Sequence, residues 1–329
     1  MADTSYNFDG NFSLRPVQDD DYGALAVLKS LLYPQHPSSV KSMRHGDETR
    51  DKKILHQQWV WKKDSSILCS ALYTQWEEIY HPQKFVIKIY VHPKQQGGGF
   101  GTICYDFLID KLKPFDPLKI TTQIHEPHQQ SIRFFEKRGF KHAATEKESS
   151  LDLTAYNPAK YEDEITQIDQ HGFRIITYSD FRKEDKKADY KVWEFEREVS
   201  PDMPWPDPIE VPEYDIYSKQ ILHHPKFNSD AWFLVVDGDH IAGLNNLWKS
   251  EIPKGINNGL TGVRREYRRK GIATALKYNS LTWAKNQGYD WIRTDNADTN
   301  EGMLSINIRA GFKFMPAWLV YEKVLREEQ

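Results

Sequence analysis

The stretch Gly259-Leu-Thr-Gly-Val263, then Arg264-Arg-Glu-Tyr-Arg268-Arg-Lys-Gly271-Ile-Ala273, then Thr274 to Gln287, reads as a strand, a glycine-bearing turn and a helix. The same plan stands earlier in the chain. There Val86-Ile-Lys-Ile-Tyr90-Val91 leads through His92-Pro-Lys-Gln-Gln96-Gly-Gly-Gly99-Phe-Gly101 into a helical run from Thr102 to Leu112. Downstream, each copy holds a strand, a helix and the pair Gly-Phe, at Gly139-Phe140 and at Gly311-Phe312. Val91 and Val263, Gly99 and Gly271, and Gly139 and Gly311 are all 172 residues apart. One offset at three anchors means no net insertion between them, so the chain reads as a duplicated domain.

Upstream segments fit the same plan. Phe12-Ser-Leu-Arg15 and Phe173-Arg-Ile-Ile176 read as short strands, each followed by an acidic turn and a helical stretch. Trp59-Val-Trp61 leads through 62–66 into Ile67 to Ala71, and Trp232-Phe-Leu-Val-Val236 leads through Asp237-Gly-Asp239 into His240-Ile-Ala-Gly243. Two β-rich runs around a turn cluster predict a hairpin in each half. Each half is therefore expected to be an α/β (α+β) layer, a mixed, mostly antiparallel sheet flanked by helices. Lys147 to Leu153 alternates like a closing strand, and Thr154-Ala-Tyr-Asn-Pro158 breaks regularity. The expected domains are 1–158 and 159–329.

Composition narrows the function. The 329 residues are 39% hydrophobic and 28% charged, enough apolar material for ordinary cores. Lys+Arg 44 against Asp+Glu 47 leaves a net charge of −3, which argues against a nucleic-acid or anionic-membrane partner. Two cysteines, Cys69 and Cys104, exclude a disulfide framework, a four-cysteine zinc site and a CxxC redox pair. His81, His125, His128, His223 and His224 are not at metal-ligand spacing, so no metal is expected. No apolar run approaches a membrane span, and MADTSYNFDG lacks a signal-peptide layout, so a soluble cytoplasmic protein is expected.

The turn before Thr274 has a chemical use. A helix N-terminus offers unpaired N–H groups and the positive end of a dipole, a seat for phosphate. Glycine lets backbone close on an anion, and Arg268, Arg269 and Lys270 can neutralise a pyrophosphate. In the first copy Gln96, Gly97, Gly98, Gly99 and Gly101 rely almost wholly on backbone donors. Neither copy matches G-x-x-x-x-G-K-[ST] or the dinucleotide-binding G-x-G-x-x-G, which points to another pyrophosphate carrier.

Both turns resemble the Gln/Arg-x-x-Gly-x-Gly/Ala acyl-CoA motif of the GCN5-related N-acetyltransferases. The helices that end in Gly139-Phe140 and Gly311-Phe312 resemble the family's next motif, and the likeness spans nearly the whole chain twice, as in tandem-domain members. The resemblance implies acetyl-CoA as cofactor and a β-bulge that splays two strands before the turn. It implies cofactor contacts at Gly262, Val263, Arg268, Arg269, Lys270, Gly271, Ile272, Ala273, Thr274, Asn300 and Asn307. In the first copy it implies Tyr90, Val91, Gln96, Gly97, Gly98, Gly99, Phe100, Gly101 and Thr102. The thioester would lie by Tyr90-Val91 or Gly262-Val263, whose N–H groups would stabilise the oxyanion.

The chain departs from the family where many members carry a proton-donating tyrosine, having Phe135 and Asn307 instead. The expected activity is direct acetyl transfer to a primary amine of a small molecule, with the C-terminal half favoured as catalytic. Glu194 and Asp202 are candidates to hold the amine or relay its proton, and Tyr321 is the spare proton donor. Their plainer readings are an exposed helix stripe shared with Glu198, a turn-shaping aspartate and a core tyrosine. Two rival functions stay open: a non-catalytic acyl-CoA sensor or scaffold, and an aminoacyl or peptidyl transferase using charged tRNA.

Overall fold

The computed structural model describes residues 13–63, 66–205 and 207–327. The N-terminal segment, Phe12, part of the first hairpin turn (64–65) and Pro206 lie outside the described residues. Among those described, the strands are β1 (Ser13–Pro16), β2 (Gln57–Lys63), β3 (Ser66–Thr74), β4 (Lys84–Val91), β5 (Lys119–His125) and β6 (Lys141–Asp152). Then come β7 (Arg174–Thr177), β8 (Trp232–Asp237), β9 (His240–Lys249), β10 (Gly255–Val263), β11 (Trp291–Ala297), β12 (Lys313–Phe314) and β13 (Trp318–Val324). The first copy's helices are α1 (Tyr22–Leu32), α2 (Val40–Thr49), α3 (Phe100–Leu112) and α4 (Gln129–Glu136). The connector α5 (Glu162–Thr166) precedes α6 (Tyr178–Glu184), α7 (Ala188–Val199), α8 (Tyr214–Tyr217), α9 (Ile272–Asn286) and α10 (Glu301–Ala310).

Contacts divide the chain into two compact units. Unit 1 holds 13–124, 128–143 and 320–327, and unit 2 holds 125–127 and 144–319. The closing strand of the first copy, β6 from residue 144 onward, pairs antiparallel with β11 in unit 2. The closing strand of the second copy, β13 from residue 320 onward, lies beside β5 in unit 1. Closing strands are exchanged between the copies.

Within unit 1 the strand order is β1-β2-β3-β4-β5-β13, and within unit 2 it is β6-β11-β10-β9-β8-β7, with β12 on β6. Both predicted hairpins form, β2 with β3 and β8 with β9. The pairings β4–β5 and β10–β11 are parallel, each crossing over through the helix that follows the glycine turn. The unit 2 sheet is covered on both faces. Phe233, Leu247, Ile256, Ile292 and Phe312 pack with Leu276 and Leu281 of α9, while Trp232, Leu234 and Leu244 pack with Val192, Phe195 and Val199 of α7. Each such side chain stabilises the fold by about 1.5–3 kcal/mol on burial. In unit 1, Phe107 of α3 sits edge-on to Trp59 and Trp61, and Leu25 and Leu28 of α1 pack on Val60 and Ile67 of the opposite face.

Candidate functional site

The two turns are built alike. A short 3-10 turn, Arg265–Tyr267 or Pro93–Gln95, follows each strand, and a left-handed glycine begins each helix. Gly271 has φ 80° before α9, and Gly99 has φ 87° before α3. Only glycine takes this conformation without strain, and it turns the first helical N–H groups toward the chain before them. The residue at the head of the motif ties the turn to its strand. Arg268 Nε donates to the Val263 carbonyl at 3.0 Å, and Gln96 Nε2 donates to the Val91 carbonyl at 3.3 Å.

Below the turns the copies diverge. In unit 2, β10 pairs with β11 only from Gly255 to Asn258, although β11 continues to Ala297. Its register with β9 also slips by one residue between Asn258 and Thr261, a β-bulge at Gly259-Leu260. The edge of Thr261, Gly262 and Val263 that faces away from β9 is thereby parted from its former neighbour. In unit 1, β4 leaves β5 after Val86, but its register with β3 is continuous from Cys69 opposite Val91 to Thr74 opposite Val86. The splay implied by the resemblance occurs in both units, and the bulge in unit 2.

At this opened edge lies a cleft of about 470 Å³. Of the expected contacts, Gly262, Val263, Arg268, Arg269, Gly271, Ile272, Ala273, Thr274 and Asn300 line it. Lys270 does not; its ammonium sits over the rings of Tyr267 and Phe173. Nor does Asn307, which is 2% exposed and donates through Nδ2 to Asn296 Oδ1 at 2.7 Å, fastening α10 to β11. Asn300 caps α10 by accepting from the Met303 N–H at 3.2 Å. Gly262 is needed because a Cβ there would stand 2.9 Å from Val199 of α7.

The remaining lining was missed by sequence reasoning: Val199, Met203 and Pro204 after α7, Leu260 and Thr261 at the bulge, Tyr267, and Gly302, Met303 and Ile306 of α10. The α10 set carried a signal, since positions 302, 303 and 306 share one helix face. The bulge left none.

In unit 1 the equivalent residues are occupied differently. Phe134 stands where unit 2 has Ile306, and its ring lies 3.4 Å from where a Cβ on Gly101 would be. Arg138 stacks on Phe134 at 3.6 Å and donates to the Thr102 hydroxyl at 2.9 Å. Phe100 is 5% exposed and belongs to the core. Tyr90, at the position of Gly262, meets Tyr33 edge-on and carries the Lys29 ammonium on its face.

The candidate acid–base residues are set in unlike places. Asp202 lines the cleft, but its carboxylate accepts from Arg265 Nε at 2.8 Å and bonds the terminal nitrogens of Arg265 and Arg268. Arg265 first, then Arg268, hold it ionised, well below the usual carboxylate range. That is the reverse of what a proton acceptor working near neutrality requires. Asp202 clamps the turn that leads into α9. Glu194 is on the exposed face of α7 and not among the lining residues, and Glu198 pairs with Arg264 at 2.7 Å. Tyr321 belongs to unit 1, where its hydroxyl donates to Glu136 Oε1 at 3.2 Å and burial raises its pKa. The buried carboxyl of α7 is Glu196, which desolvation pushes up to about 7.

Comparison with known proteins agrees with this geometry. The model of the acetyltransferase (GNAT) family matches residues 26–140 and again 192–306. A GCN5-related N-acetyltransferase from Sphaerobacter thermophilus superposes with a TM-score of 0.70 at 17% identity, covering 97% of both chains. A tandem GNAT protein from the clavulanic acid biosynthesis pathway gives 0.72 at 16% identity, over 97% of this chain and all of that one. At these identities the likeness speaks for fold. No curated protein matches the chain. Among the described residues no helix is long and apolar enough to cross a membrane. With its family model matched twice over most of its length, the chain belongs to the acetyltransferase (GNAT) family and carries that domain in tandem.

Proposed function

We propose that this GNAT-type acyltransferase moves an acetyl group from acetyl-CoA to a primary amine of a small molecule, and that unit 2 performs the reaction. The observation that carries the reading is the cleft itself. It joins a left-handed glycine at the head of α9, the Arg268 guanidinium and an opened strand edge, with Gly262 letting Val199 of α7 pack close against that edge. This donor set fits a diphosphate followed by an amide-bearing arm.

Bound acetyl-CoA supplies an activated thioester carbonyl. This chain's residues do the rest. The α9 N–H groups and Arg268 hold the diphosphate, and Asp202 keeps Arg268 and Arg265 aimed. The Thr261–Val263 edge offers backbone donors to the arm and to the negative charge that develops on the carbonyl oxygen. Val199, Leu260 and Ile306 give the approach an apolar wall. Glu194 and Tyr321 take no part in this proposal, and proton removal is left to water in the open cleft. The acyl-CoA sensor is the second reading, favoured by Asn307, whose amide is too weak an acid to protonate a thiolate.

Calorimetric titration with acetyl-CoA is expected to show one site per chain. Arg268→Ala should weaken it about 10- to 100-fold through loss of a charged hydrogen bond. Release of free thiol across a panel of small amines separates enzyme from sensor, since a sensor binds and releases nothing. Absence of binding sinks both.

A further inference from the structure

We infer that Lys277, with Asn258, is a positioning residue that holds the β10 bulge, and with it the register of the strand edge on which the acetyl transfer depends. The inference rests on the transfer reading above. Lys277 is on α9, one helical turn past Thr274 of the cleft, and is fully buried. Its Nζ donates to Asn258 Oδ1 at 2.9 Å and lies 5.9 Å from the centre of the Phe312 ring.

Asn258 is the last β10 residue paired with β11. Held by Lys277, it donates through Nδ2 to the Gly259 carbonyl at 2.8 Å, which the bulge turns out of the ladder. On the far side of the bulge, the Thr261 hydroxyl donates to Asn245 Oδ1 of β9 at 2.5 Å. A polar bridge thus backs the slipped register from α9 through β10 to β9, behind the residues that line the cleft.

Burying an amine with no carboxylate is costly, and a methionine would fill the same space without that cost. Desolvation accordingly lowers the Lys277 pKa to about 7. Unit 1 provides the internal control. At the positions 172 residues earlier it carries Val86, Ile89 and Tyr105, and its β4 register does not slip. Bridge and bulge occur together in one unit and are missing together in the other.

The test uses the full chain and three variants: Lys277→Met, Lys277→Gln, which keeps a donor, and Asn258→Ser, which leaves Lys277 in place. In the absence of ligand, hydrogen exchange of the 259–263 amides should quicken in Lys277→Met and Asn258→Ser, with α9 exchange unchanged. Where wild type turns over, kcat should fall on the order of 100-fold in Lys277→Met, as expected for an ångström of misplacement. Acetyl-CoA affinity, set mainly by the phosphate turn, should change by less than about threefold, and Lys277→Gln should recover about a tenth of the rate or more. Wild-type exchange at 259–263 in Asn258→Ser, or parallel loss of kcat, affinity and melting temperature in Lys277→Met without recovery by Lys277→Gln, overturns the inference. If wild type binds no acetyl-CoA, the functional reading fails, and the exchange experiment still decides what holds the bulge.

Discussion

The two units answer one plan with different side chains, and the differences gather at the groove. Both have the tethered turn and the left-handed glycine before the helix. Unit 2 has Ile306 and Gly262 where unit 1 has Phe134 and Tyr90, and of the two strands that lead into the turns, β10 slips its register while β4 does not. Backbone motif and the side chains around it therefore vary independently. A copy can keep the turn and fill the space above it with aromatic rings.

Exchanging the fillers is the strongest way to break this contrast. Ile306→Phe imports the unit 1 ring into the cleft. By the overpacking cost of about 1–3 kcal/mol it should weaken acetyl-CoA about 5- to 150-fold, read by calorimetry. The reverse change, Phe134→Ala, should leave the unit 2 site unaltered. A second binding event in that variant would mean that the ring alone closes unit 1.

Asp202→Asn sharpens the charge side of the comparison. It frees Arg265 and Arg268 from the carboxylate that aims them, so acetyl-CoA affinity should fall severalfold. Stability at neutral pH should fall by about 1 kcal/mol or less, since Arg265 and Arg268 are well exposed. The folded-state pKa of Asp202 is depressed, so its contribution is present above the unfolded carboxylate value and is lost as pH falls below it. The variant and wild type should therefore converge in melting temperature under acid conditions. Equal affinities would show that Asp202 does not bear on the seat.

The smallest effect concerns one backbone angle. Arg269 holds φ 63° where its counterpart Gly97 holds φ 81°. A non-glycine residue there costs about 1–2 kcal/mol. Arg269→Gly should raise the melting temperature slightly and weaken cofactor binding, whereas Gly97→Ala should lower stability by about 1 kcal/mol. A gain in melting temperature with a loss of affinity in Arg269→Gly would tie the strain to function rather than folding.

What could be read from the sequence was what local chemistry imposes. The glycines at 99 and 271, the tether at 96 and 268 and the hairpins are short-range demands, and they surfaced as a repeat. The exchange of closing strands left no trace, because β6 and β13 both alternate as strands and pairing partners are chosen by tertiary packing. Asp202 read as a turn residue or a proton relay because its arginine partners lie more than sixty residues away. The bulge was expected only through the resemblance, and the residues that back it stayed hidden for a like reason: Lys277, Asn258 and Asn245 meet only after folding.

The exchanged strands bear on how the protein is made. Unit 1 needs residues 320–324 alongside β5, so nothing translated from the first copy alone has its full complement of strands. On the ribosome, the earlier half must wait, one edge uncovered, until the second copy has been read through its closing strand. Cutting the gene at the point of duplication would yield two fragments, each missing a strand and each bearing a surplus one.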